Sequence, residues 1–598
     1  LGGFNQTGGT VKSDGSFTVN QAVGSTQVGN LTVGGNLSLI NSADGGQISQ
    51  LADTAVSVTG TTLLKAPGNV NFGNANNALT GVVTAQGNDV TLTNKVALAA
   101  AVTAAGNAAL TSGAALTLGA TKVDGALSLT SKGNVTQTAG VAVMGATTIN
   151  ATGFDVTLSN SGNKFSTVNA TADDLSLLDT DGGVVLGNIT ATGNTQISSS
   201  AGDITQTQDS VIDAKGTTRL VASGSNVSLT GANNTLGGVV TAVGNTASLN
   251  SKGALSAFVN VQEATLIAAG NLAVMGATSK GLTTTTTGEN STTTFGNTSV
   301  GTDLTVTSTG SVSQEPNMAL TVSGKTLINA GTRDVTLSNA TNAFNSIAVT
   351  GGAVSVTDTN GVVLDAIKAT SLTVKAGDAV TQTAAATVTG ATSVDAGANA
   401  VTLANANNDF GSIGVTAGAA SITDKNAVAL DTIKAASLNV KAVGAVTQVA
   451  EKALEVTGAT TVDAGANAVT LGNAGNDFNT VAITAGAASI TDKNAVALDN
   501  IKATSLTVKA GGDVSQVADK ALDVTGATSV DAGANTVTLA NAGNDFGRIG
   551  VIAGAASITD KDEVALDAVK ATSLTLKAGG SVTQNAAATV TGATSVDA

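Results

Sequence analysis

Cysteine, histidine, tryptophan and tyrosine are all absent from this chain, and proline occurs only twice in 598 residues. Without Cys or His there is no thiolate or imidazole zinc site, no cysteine nucleophile and no Ser-His-Asp triad. Disulfides are excluded as well, so stability must come from packing and backbone pairing. Charged residues make up only 11%, yet hydrophobic residues reach 42%, too apolar a balance for a disordered chain. Long apolar runs are also missing. The most apolar stretch, Val96 to Ala105, contains Thr103 and is far too short to span a membrane. The chain opens Leu1-Gly2-Gly3-Phe4, with no basic or apolar leader. Its last nine residues repeat Val388 to Ala396, where the chain simply continues. The expectation is a piece of a longer protein.

The net charge of −15 is spread evenly, with no run of five or six like charges. Residues 393–460 carry six acids and four lysines. The charge therefore belongs to a recurring solvated surface, and no basic stripe is available for nucleic acid.

Repeats dominate what is present. An Asn-Asp-Phe phrase ends at Phe410, Phe478 and Phe546, spaced by 68 and 68 residues, with a looser version at Phe344. A β-branched residue, then Thr or Ser, then Gln ends at Gln50, Gln137, Gln206, Gln314, Gln382, Gln448, Gln516 and Gln584. Residues 1–320 read as degenerate repeats with extra coils, and 321–598 as regular repeats of 66–68 residues in one continuous solenoid. Related starts at Ser393, Ser421, Ser437 and Thr461 divide each repeat into three sub-repeats of about 23 residues. The two long intervals exceed 68 by 19 and 40, so insertions come in whole sub-repeats.

Within a sub-repeat, pairs such as Val401 and Leu403, or Leu438 and Val440, alternate with polar or small neighbours. That period of two is a strand with one inward face. Gly, Asn and Asp punctuate the strands. One coil of some 23 residues loses more backbone entropy than its few aliphatics recover, so coils must stack. The expected fold is all-β, a parallel β-helix (β-solenoid) of about 26 coils forming an elongated rod roughly 125 Å long. Tandem Ig-like sandwiches are the alternative, but they favour longer units and a buried Trp or Tyr.

Several chemical motifs dissolve into the repeat. Gly324-Lys325-Thr326 mimics the end of a phosphate loop, but Ala319 occupies the required glycine position. Asp179-Thr180-Asp181-Gly182 resembles a calcium-loop fragment, and its counterparts at Asp358 and Asp424 read as turns. Asp424 with Asp431, Asp492 with Asp499 and Asp560 with Asp567 could lie near one another, and such a carboxylate pair is what glycosidic cleavage needs. Their recurrence argues for surface decoration, since an active site is normally unique. Asn405, Asn407, Asn408, Asn473, Asn476, Asn541 and Asn544 cluster at one turn of each unit, as turn chemistry or as an array facing an extended glycan. Thr283 to Thr287 and Thr292 to Thr294 read as a polar loop or an extra coil, without the coil-to-coil Thr rows an ice-binding solenoid needs.

The run from Ser393 to Gln448, with its Val394-Asp395, Val401-Thr402-Leu403 and Val446-Thr447-Gln448 phrases, resembles the repeats of filamentous-haemagglutinin-like two-partner-secretion exoproteins. These are large β-helical adhesins of Gram-negative bacteria, and biofilm-matrix adhesins are similar. The resemblance implies the stalk of a secreted, cell-surface adhesin that mediates cell–cell or biofilm-matrix attachment. The partners it implies are extracellular polysaccharide or a surface glycan, sister copies of the chain, and an outer-membrane transporter acting on another part of the protein. Neither nucleic acid nor membrane insertion is expected. The alternatives are a polysaccharide-degrading β-helix enzyme and a purely structural fibre or surface-layer spacer. Catalytic, cofactor-binding and metal-ligating residues are each expected to be none, and no cofactor is expected.

Overall fold

The computed structural model describes residues 2–598, and among them every strand is paired in parallel and no helix is present. The architecture is the expected all-β parallel β-solenoid, with about 29 turns. Parallel pairing excludes Ig-like sandwiches, whose sheets are antiparallel. Two compact units divide the chain, one ending at Gly301 and the other running Thr302–Ala598.

The strands follow from the period-two alternation. In Val428–Ala442 the inward positions Val428, Leu430, Ile433, Ala435, Leu438, Val440 and Ala442 are buried. The phase slips by one residue at Asp431-Thr432 and again at Ala436-Ser437, where the backbone rounds a corner and the ladder register shifts. Proline is scarce because each strand donates hydrogen bonds to both neighbouring turns. The turn at Asp463-Ala464-Gly465 needs a left-handed residue, supplied by Gly465 at φ +57°, and the Asp463 carboxylate accepts from the Gly465 N–H at 3.0 Å.

In the second unit, register shows how repeat and turn relate. One inward column runs Val380, Val401, Ala420, Leu438, Thr460, Val481, stepping 18–22 residues per turn. Another runs Val446, Val469, Ala488, Leu506, Thr528, Ile549. Leu438 and its repeat counterpart Leu506 thus lie in different columns. A turn holds nearer 20 residues than 23, so a 68-residue repeat makes about three and a half turns. Seven register steps carry the column from Val380 to Gln516, two residues past Val514, the counterpart of Val380 two repeats on. Successive repeats therefore present the same residues on alternate sides of the solenoid.

Candidate functional surface

The polar groups singled out by sequence divide into those buried in corners and those facing solvent. Asn408, Asn476 and Asn544 are fully buried, so a glycan-facing array cannot include them. Each clasps the marker glutamine of the preceding turn. Asn476 Nδ2 donates to Gln448 Oε1 at 3.1 Å while Gln448 Nε2 donates to Asn476 Oδ1 at 2.6 Å. Asn476 also accepts from the Leu454 N–H and donates to the Leu471 and Thr491 carbonyls. The same reciprocal pairing joins Gln50 to Asn77, Gln137 to Asn163, Gln206 to Asn234 and Gln314 to Asn342. The recurring glutamine is thus half of a corner clasp. Asn405, Asn407, Asn473 and Asn541 sit at the same turn but are exposed or half-buried.

The aspartate pairs separate in the same way. Asp424, Asp492 and Asp560 are buried, and each accepts a backbone N–H from the repeat's phenylalanine: Phe410, Phe478 and Phe546 at 2.6–2.7 Å. Asp179 and Asp358 hold Phe165 and Phe344 likewise. Burial pushes all five carboxyls above their ordinary range, against the opposing pull of those N–H bonds. The partners Asp431, Asp499 and Asp567 face outward to Lys452, Lys520 and Arg548 at 3.4–3.6 Å. Each pair is split between a corner and a surface ion pair. In the calcium-like fragment, Asp179 is such a corner and Asp181 pairs with Lys164 at 2.9 Å. Among the described residues no cluster of three acidic side chains is disposed to hold a metal. Gly324-Lys325-Thr326 lies within the strand Leu320–Asn329, with Lys325 paired to Asp365, whose carboxyl that lysine lowers. The threonine-rich stretch forms the strands Leu282–Thr286 and Thr293–Val300, with Thr284, Thr286 and Thr293 inward.

Outward residues form columns too. In the second unit one column reads Thr357, Lys375, Asp395, Thr416, Lys434, Glu455, Asp477. Opposite charges adjoin there, and the face is largely self-neutralised.

The first unit carries a different face, which sequence reading missed. Register stacks Thr157, Ser176, Gln196, Arg219, Thr241, Phe258 and Met275 into one outward column. Phe258 is 42% exposed, and Met275 lies against Gly296, where a Cβ would come within 2.5 Å of the Met275 side chain. Beside the lower half runs a groove of about 350 Å³ bordered by Asp155, Asp174, Asn194, Thr217 and Arg219. A ladder orders its rim. Asp155 accepts from the Asp174 N–H, Asp174 from the Asn194 N–H, and Asn194 from the Thr217 N–H and hydroxyl. Gln196 and Arg219 make no side-chain hydrogen bond or ion pair among the described residues. No local pattern marks this face, because its members come from separate turns.

Fold and surface together define a repetitive parallel β-solenoid whose buried acids and amides are committed to its own backbone. Matches to the family described as repeats of unknown function (DUF5649) cover residues 14–86, 105–172, 172–243, 279–350, 351–416, 417–485, 485–552 and 553–598. The chain belongs to this repeat family. No curated protein matches it.

Proposed function

We propose that this chain is the repeat stalk of a secreted bacterial surface adhesin, holding cells or matrix together by contact with extracellular polysaccharide. The observation that carries the reading is the division of polar groups. Inward acids and amides are consumed by corner hydrogen bonds, while outward ion pairs recur from repeat to repeat. Such a surface suits repeated weak contacts along an extended partner. The style of the repeats, similar to filamentous-haemagglutinin-like exoproteins, supports the extracellular setting. A non-catalytic role is part of the proposal and is supported by the splitting of each aspartate pair.

The test is made in the bacterium that produces this protein. Removing residues 105–598 in frame is expected to reduce cell–cell attachment and biofilm mass while the protein still reaches the surface. Unchanged attachment with normal surface display would reject the reading. Release of reducing ends from any polysaccharide, abolished by Asp431→Asn, would replace it with an enzymatic one.

A further inference from the structure

We infer that the outward column Thr157–Met275, with the groove beside it, is a binding face for a neutral polysaccharide chain. The inference rests on the attachment role above and assigns it a place and a ligand class. The only exposed phenylalanines among the described residues are Phe154 and Phe258. Phe258 stands near the top of this column, and Phe154 lies in the turn immediately before Asp155, at its foot. An exposed aromatic ring offers an apolar platform for the C–H face of a sugar ring. Between the two rings lie Gln196, Arg219 and Thr241, presenting donors and acceptors that no protein group among the described residues occupies. On the groove rim, Asp155 and Asp174 each use only Oδ1 to order the next turn, so the second oxygen remains open to a sugar hydroxyl.

Geometry and charge select the occupant. Seven rungs at about 4.8 Å give a track of about 29 Å, with a rung spacing close to the length of one pyranose. An extended glycan thus meets one outward side chain per successive sugar, polar from Thr157 to Thr241 and apolar at Phe258 and Met275. Two carboxylates against one guanidinium, on a chain of net charge −15, disfavour an acidic polymer. The apolar platforms and uncommitted amide suit neutral hydroxyls.

The intact chain is run through native gels containing dextran, mannan, a soluble β-glucan or galactan, with polygalacturonate as the acidic comparison, and affinities follow from calorimetry. At least one neutral polymer is expected to retard it, with little dependence on salt. Phe258→Ala and Arg219→Ala are each expected to weaken that binding at least tenfold, whereas Lys375→Ala leaves it unchanged. Both sites are solvent-facing, and circular dichroism confirms that the variants fold. Neutral-polymer binding that survives both substitutions overturns this face while leaving the attachment role standing. Retardation by polygalacturonate alone, lost in salt, overturns the neutral class, and no retardation by any polymer overturns the face. The cell-attachment assay judges the broader role independently.

Discussion

At the scale of single residues, the corners concentrate the polar chemistry. From a position with no solvent access, Asn476 accepts from Gln448 and Leu454 and shares its two N–H donors among Gln448, Leu471 and Thr491. Asn476→Ala leaves the Leu454 N–H without its acceptor, at a cost of about 1–3 kcal/mol, while Gln448 keeps its bonds to Lys452 and Asn473. Turns stabilise only their neighbours, so the loss is local. Hydrogen exchange at the Leu454 amide is expected to accelerate far more than at amides several turns away. Asp424 bears on pH. Its folded pKa is raised by desolvation, so the native state holds this proton more tightly than the unfolded state. Its contribution is favourable below the unfolded value and is lost as pH rises through the folded one. Exposed Asp409 and Asp477 act oppositely, since Lys425 and Lys493 lower their carboxyls and that stability is lost on acidification. In urea titrations across the acid range, the stability of wild type minus Asp424→Asn is therefore expected to rise as pH falls. Asn94 shows that an amide serves the corner, accepting from the Leu79 N–H at 2.9 Å.

Among strands, the inward ladders carry a recurring threonine between apolar neighbours. Thr326, Thr392, Thr460 and Thr528 are buried without a partner for their hydroxyls. Thr460 sits between Leu438 and Val481 in its column, where its methyl packs as a valine would. Thr460→Val removes a desolvated hydroxyl at nearly constant shape. It is expected to stabilise the unit by about 1 kcal/mol in chemical denaturation. Strand identity was legible in the sequence because alternation alone distinguishes the buried face, as at Val401 and Leu403 or Leu438 and Val440. The corners were not. Asp424 and Asn408 read as turn residues, and only the fold shows one accepting from Phe410 and the other clasped to Gln382.

For the whole repeat array, the half-turn offset makes a dimensional prediction. The native chain has no cysteine, so Lys375→Cys and Lys577→Cys provide two unique labels within one unit. Register places them ten and a half turns apart, about 50 Å along the axis. Deleting residues 461–528 removes one repeat and joins Thr460 to Ser529, the counterpart of Thr461. The labels are expected to approach to about 34 Å by electron–electron spin resonance, with the β-sheet circular dichroism signal retained. An unchanged separation, or loss of the sheet signal, would contradict the three-and-a-half-turn repeat.

The absence of Cys, His, Trp and Tyr, the period-two alternation and the 68-residue spacing were enough to determine a stacked parallel β-solenoid. Identical small amphipathic segments have no other way to bury their apolar face than against one another. Tertiary structure alone decided the number of residues in a turn, because corners absorb residues at phase slips such as Asp431-Thr432 that no pattern announces. That number places successive repeats on alternate sides. It also brings Arg219, Thr241 and Phe258, from three separate turns, onto one open face.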